Sequence, residues 1–124
     1  MINIVSEYKK HRFEWGKYDC CMFAADIVKA KTGIDLAANH RGKYNSEIGS
    51  IKALKKYGNF TDILDANFTR LDNINFAQRG DVVSYASGKG VGVVWSGGIL
   101  SIHPEHGLCL VTDEIETVWR VENA

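Results

Sequence analysis

The stretch FEWGKYDCCMFAADIVKAKTG, residues 13–33, sets two adjacent thiols where a loop turns into a helix. Asp19 is placed to cap that helix, its carboxylate accepting a backbone N–H of the first turn. From Cys20, the residues Phe23, Ala24, Ile27 and Val28 follow the i, i+3, i+4, i+7, i+8 spacing of a buried face. Gly33 is the expected stop, taking the left-handed conformation that a residue without Cβ adopts freely. A thiol at such a start is favoured as thiolate, because unpaired N–H groups and the helix dipole stabilise the anion. A charged Asp19 beside it works the other way. Cys20 sits on the apolar face and Cys21 lies about 100° round the helix. Cys20 therefore reads as a candidate nucleophile, with a small core cysteine as an equally weighted alternative. Cys21 reads as core.

Working outward, residues 2–12 are expected to form an N-terminal helix with Ile4, Val5 and Tyr8 on one side. After Gly33 a loop runs through IDLAANHRGKYN. Ser46 can cap a helix carrying Ile48, Ile51 and Leu54 that stops at Gly58, and Thr61 can cap a short one through Ala66. The second half changes period. GDVVSYA (80–86), VGVVW (91–95), ILSIH (99–103), LCLVT (108–112) and TVWRVE (117–122) are short, rich in β-branched and aromatic residues, and separated by glycine or charged turns. SGG at 96–98 and PEHG at 104–107 read as hairpin turns. Helices followed by an antiparallel meander give an α+β class, with helices on one face of a sheet and a single domain over residues 1–124.

Composition excludes several function classes. The 15 Lys and Arg balance 15 Asp and Glu, and the YKKHR run at 8–12 reads as a solvated helix face, so nucleic acid is not an expected partner. No apolar run approaches the ~20 residues that span a bilayer, and the N-terminus lacks the charged-then-apolar order of a signal peptide. No membrane partner and no export signal are expected. The three cysteines, Cys20, Cys21 and Cys109, make an odd count for a disulfide framework, and adjacency is the wrong spacing for zinc. Cys109, between two leucines mid-strand, reads as structural. No metal or cofactor is expected. GKGVG at 88–92 precedes a strand rather than a helix and lacks a Walker pattern, so it is read as a tight turn, not a phosphate loop.

A proton acceptor for Cys20 must come from four histidines. His11 lies in the basic run, His40 in the loop after the cysteine helix, and His106 in a turn. His103 ends a strand and is the candidate to face the helix start, with a surface histidine as the equal alternative.

WGKYDCCMF resembles the nucleophile motif of the NlpC-type papain-like cysteine peptidases, in which Trp-Gly is followed by Asp-Cys-Ser-Gly and an apolar residue. QRGDVVSY and GVGVVWSGGILSIHP resemble the strands that follow in that family, so the resemblance covers roughly residues 13–104. A phage- and prophage-encoded branch of unknown function is similar over more of the chain. Its pattern is met by Asp19 to Val28, Gly33-Ile34-Asp35, Ala37-Ala38, Arg41-Gly42, Tyr44, Phe76 to Val83 and Val91 to Val94. The resemblance implies a papain-like fold with Cys20 as nucleophile and Cys21 in the place of the following serine. His103 matches the family's second histidine, and Trp15, Tyr18 and Asp19 are placed beside the substrate. Gly90 stands where the family carries its general-base histidine, and Phe13 where a tyrosine is common. General-base assistance is worth about 10²–10⁴-fold, so either His103 acts as base in a dyad or the site is inactive. The implied function is a cysteine hydrolase of peptide or amide bonds in peptidoglycan. The alternatives are an inactive papain-like domain in phage tail assembly or wall binding, with phage structural proteins as partners, and a plain intracellular binding domain. The implied setting is a bacterial cytoplasm where the chain is made, with association with virions.

Overall fold

A computed structural model describes residues 2–96 and 98–123; Gly97, at the centre of the expected SGG turn, lies outside the described residues. The described residues form four α-helices, α1 (Ile2–Lys9), α2 (Cys20–Thr32), α3 (Glu47–Tyr57) and α4 (Phe60–Asn67), and a 3-10 turn at Ile74–Phe76. Six strands follow: β1 (Thr69–Arg70), β2 (Val82–Tyr85), β3 (Gly90–Trp95), β4 (Gly98–His103), β5 (Gly107–Val111) and β6 (Thr117–Arg120). All six join one antiparallel sheet in the order β1-β6-β2-β3-β4-β5. The α+β class holds, but the sheet is not a simple meander. β6 returns past three strands to pair with the free edge of β2, and the two-residue β1 is added outside it.

Local chemistry sets the helix limits. The Asp19 carboxylate accepts from Met22 N at 2.9 Å, and Gly33 closes α2 at φ 82° with its N–H on the Lys29 carbonyl. Ser46 caps α3 as expected, whereas α4 is capped by Asn59 and begins one residue before Thr61. α1 stops at Lys9, three residues short of the expected helix. Helix α2 is buried on more than one side: Met22 and Ala25 join Phe23, Ala24, Ile27 and Val28 in the core. It is the central element, with α1, the loop at 36–37 and α4 around it and the inner face of the sheet beneath. Val82, Val91, Val93, Leu100, Ile102 and Trp119 form that inner face. Val83, Ile99 and Val118 hold a smaller cluster on the outer face, under the segment from Leu71 to Ala77 and Ile115. Period-2 alternation along each strand produces this division.

Two features hold the sheet's far edge. Asp81, fully buried, accepts from Gln78 N at 2.8 Å, Val121 N at 3.1 Å and Arg120 Nε at 3.1 Å. The Gly-Asp pair of QRGDVV therefore forms a turn before β2 rather than the start of the strand. Asp65 of α4 takes Trp119 Nε1 at 2.8 Å and the Arg70 guanidinium at 2.7 and 2.8 Å, tying α4 to β6.

Candidate functional site

Two loops are drawn together at the start of α2 by Asp19. Besides capping the helix, its carboxylate accepts Gly16 N at 2.9 Å and the Tyr44 hydroxyl at 2.5 Å. Gly16 has φ 83°, and a Cβ there would collide with the Tyr44 carbonyl, so only glycine lets these two loops meet. The 33–46 loop is fixed at its other end by Arg41. That guanidinium reaches Asp26 on α2 at 2.7 Å and Asp35 at 3.0 Å, while Tyr8 donates to the other oxygen of Asp26 at 2.6 Å. Hydrogen bonding from Arg41 holds the Asp35 carboxyl below the usual range. The Asp35, Arg41 and Tyr44 side chains are thus a frame for the site.

The frame leaves a cavity of about 430 Å³ between the start of α2, the 37–44 loop, α3, the start of α4 and the β2–β3 turn. That is within the ~300–1,000 Å³ range of small-molecule sites. Its lining is mainly apolar, with Trp15, Ala37, Ile51, Leu54 and Phe60 on its walls. Cys20 and Cys21 both line it, so the second thiol is not confined to the core. The neighbouring Cys21 side chain, helped by the backbone of Val91 and Cys21, lowers the Cys20 pKa against the opposing effects of burial and the Asp19 charge. Cys20 and burial together raise Cys21.

The other expected site residues divide. Trp15 lines the cavity, edge-to-face with Phe13. Asp19 also lines it, but its oxygens are occupied by the cap and the two loop contacts. Tyr18 does not line it: its ring packs against Tyr8 and stacks on His11 at 4.1 Å, next to α1. His103 does not line it either. Strand alternation puts Leu100 and Ile102 on the face under α2, and His103 with Ile99 and Ser101 on the opposite face. The His103 ring is exposed, stacks on His106 at 4.8 Å, and accepts Glu105 N–H on Nδ1 at 3.0 Å. The expected Cys20–His103 pair is not assembled. At Gly90, a Cβ would overlap the Tyr85 ring, so the place of the general-base histidine is covered by an aromatic side chain.

His40 was set aside in the sequence as a loop residue, yet it is only 3% exposed and lines the cavity. What hid it is that a loop histidine carries no periodic signal of burial. The tight turn expected at 88–92 is the β2–β3 turn, and its place at the cavity mouth is what the sequence did not show. Ala86, Ser87 and Gly88 have φ of 53°, 57° and 78°, and the Glu116 carboxylate receives Ser87 N and Gly88 N at 3.1 and 3.0 Å. Left-handed alanine and serine are strained, and Glu116 holds them there. Among the described residues, no three His, Cys, Asp or Glu side chains are grouped to hold a metal ion. No helix among them is long and apolar enough to cross a membrane.

A family model described as a domain of unknown function, DUF6950, matches residues 1–121. The chain belongs to the DUF6950 family. No curated protein and no solved structure matches it. The matched span of this DUF6950 chain includes the whole Asp19 frame, the cavity and all six strands.

Proposed function

We propose that the chain is a papain-like domain of the NlpC type whose cavity binds a peptide or amide ligand, with Cys20 in its wall and no Cys–His dyad. The observation that carries this reading is the fate of the two histidine positions. Tyr85 covers Gly90 and His103 faces away from α2, while a cavity of about 430 Å³ stays open beside Cys20. The resemblance supplies the setting: peptidoglycan stem peptides as ligand, and a phage or prophage tail or wall-binding component as the role.

A second reading, a cysteine hydrolase of the same bonds, is favoured by the lowered Cys20 pKa. Cys20 would attack the carbonyl carbon, the amine would leave with a proton, and water would release the acyl group from the thioester. Backbone N–H groups at the start of α2 would hold the oxyanion.

Soluble muropeptides, titrated calorimetrically and then followed by mass spectrometry, separate the two. Saturable binding without new products, retained in Cys20→Ala, is the expected result. Product formation abolished by Cys20→Ala would establish the hydrolase. Neither binding nor products would overturn both.

A further inference from the structure

We propose that Cys20 is a site of S-acylation, which takes the acyl group of a thioester whose aliphatic chain lies in the cavity and keeps it. This activity goes beyond the binding of a peptide and does not depend on it. Cys20 is partly exposed, and the cavity of about 430 Å³ that it borders is walled mainly by apolar side chains, Trp15, Ala37, Ile51, Leu54 and Phe60 among them. A space of that size and lining suits an aliphatic chain, each buried methylene strengthening binding roughly fourfold.

The groups that could move a proton decide which acyl donor reacts. Breaking an amide requires a proton on the departing nitrogen, delivered by a positioned acid. His11, His103 and His106 do not line the cavity. His40 does, but its Nε2 holds its proton against the Gly58 carbonyl oxygen at 3.0 Å, and its Nδ1 is closed off from the cavity. The Asp19 carboxylate holds three donors, one of them the Tyr44 hydroxyl. Cys21, with its pKa raised, keeps its proton. Glu47 and Lys89 are exposed at the rim, and no hydrogen bond among the described residues fixes their side chains. A thioester needs no such acid, because it expels a thiolate, whose conjugate acid has a pKa of about 8.5. The Cys20 sulfur bonds to the carbonyl carbon, the bond from that carbon to the donor's sulfur breaks, and the Cys20 proton passes through water to the departing thiolate. The lowered Cys20 pKa favours the attacking form. The product persists, since no base stands by to activate water against it.

The test incubates the protein with S-octanoyl-N-acetylcysteamine or S-acetyl-N-acetylcysteamine and follows intact mass, with peptide mapping of the labelled thiol. The octanoyl group is expected on Cys20, once per chain, at least about tenfold faster than the acetyl group, and to stay there for hours. Ile51 is half exposed, so Ile51→Glu is expected to fold; it should lose the preference for the longer chain while acetyl labelling continues. Equal rates for the two donors, labelling of Cys109 as fast as Cys20, or no labelling would each overturn the proposal. So would a chain-length preference that survives Ile51→Glu, since the acyl chain would then lie elsewhere. Free octanoate released beyond one equivalent of protein would overturn it in favour of a hydrolase. Muropeptide binding, read by calorimetry, stands or falls separately from all of these.

Discussion

At the scale of single residues, the two thiols act on each other more than any histidine acts on them. The neighbouring Cys21 side chain is the largest cause of the lowered Cys20 pKa, and His103 is on the other face of the sheet. Cys21→Ala is therefore expected to move the pH midpoint of Cys20 alkylation upward, whereas His103→Ala leaves it in place. Iodoacetamide rates against pH, read peptide by peptide by mass spectrometry, check both. A midpoint that follows His103 instead would restore the dyad. Asp19 was legible in the sequence as a helix cap, and its cap role is what the structure shows. Its link to Tyr44 was not legible, since it joins residues 25 apart through a hydrogen bond that no spacing rule encodes.

At the scale of elements, the start of α2 and the start of β3 decide what the site can do. Asp19→Ala removes the cap and leaves Gly16 N and the Tyr44 hydroxyl without their acceptor, a loss of roughly 2–4 kcal/mol. Urea unfolding should show it as a lower midpoint with an unchanged slope. At β3, Gly90→His meets the Tyr85 ring, and overpacking of this kind costs about 1–3 kcal/mol. Adding Tyr85→Ala should return part of that loss in thermal melts, because the new side chain then has space. A single Gly90→His variant as stable as the wild type would contradict the crowding seen here. The α3 helix shows where pattern misleads: Ile48 and Ile51 fit an apolar stripe but are 69% and 50% exposed. Period alone cannot say whether a partner surface reaches them, and here Ile51 borders the cavity.

At the scale of the whole molecule, acid stability depends on carboxylates that bridge distant parts of the chain. Asp65, bonded by Arg70 and then Trp119, is lowered from 3.8 to about 2. A depressed folded pKa stabilises the fold above the unfolded value, and that contribution is lost as pH falls from about 4 toward 2. Asp35, lowered by Arg41, acts with the same sign. Asp65→Asn should therefore be less stable than the wild type at pH 6 and converge on it near pH 2, measured by urea unfolding at each pH. A constant difference across that range would remove the linkage. The sequence by itself determined the α+β class, the limits of α2, its buried face and the five longer strands, because caps, glycine stops and hydrophobic periods act over a few neighbouring residues. Only the tertiary structure decided that β6 returns to β2, that His103 faces away from Cys20, and that His40 enters the cavity wall. Those outcomes depend on strand register and on contacts between residues far apart in the chain, where a one-residue change of alternation moves a side chain to the opposite face of the sheet.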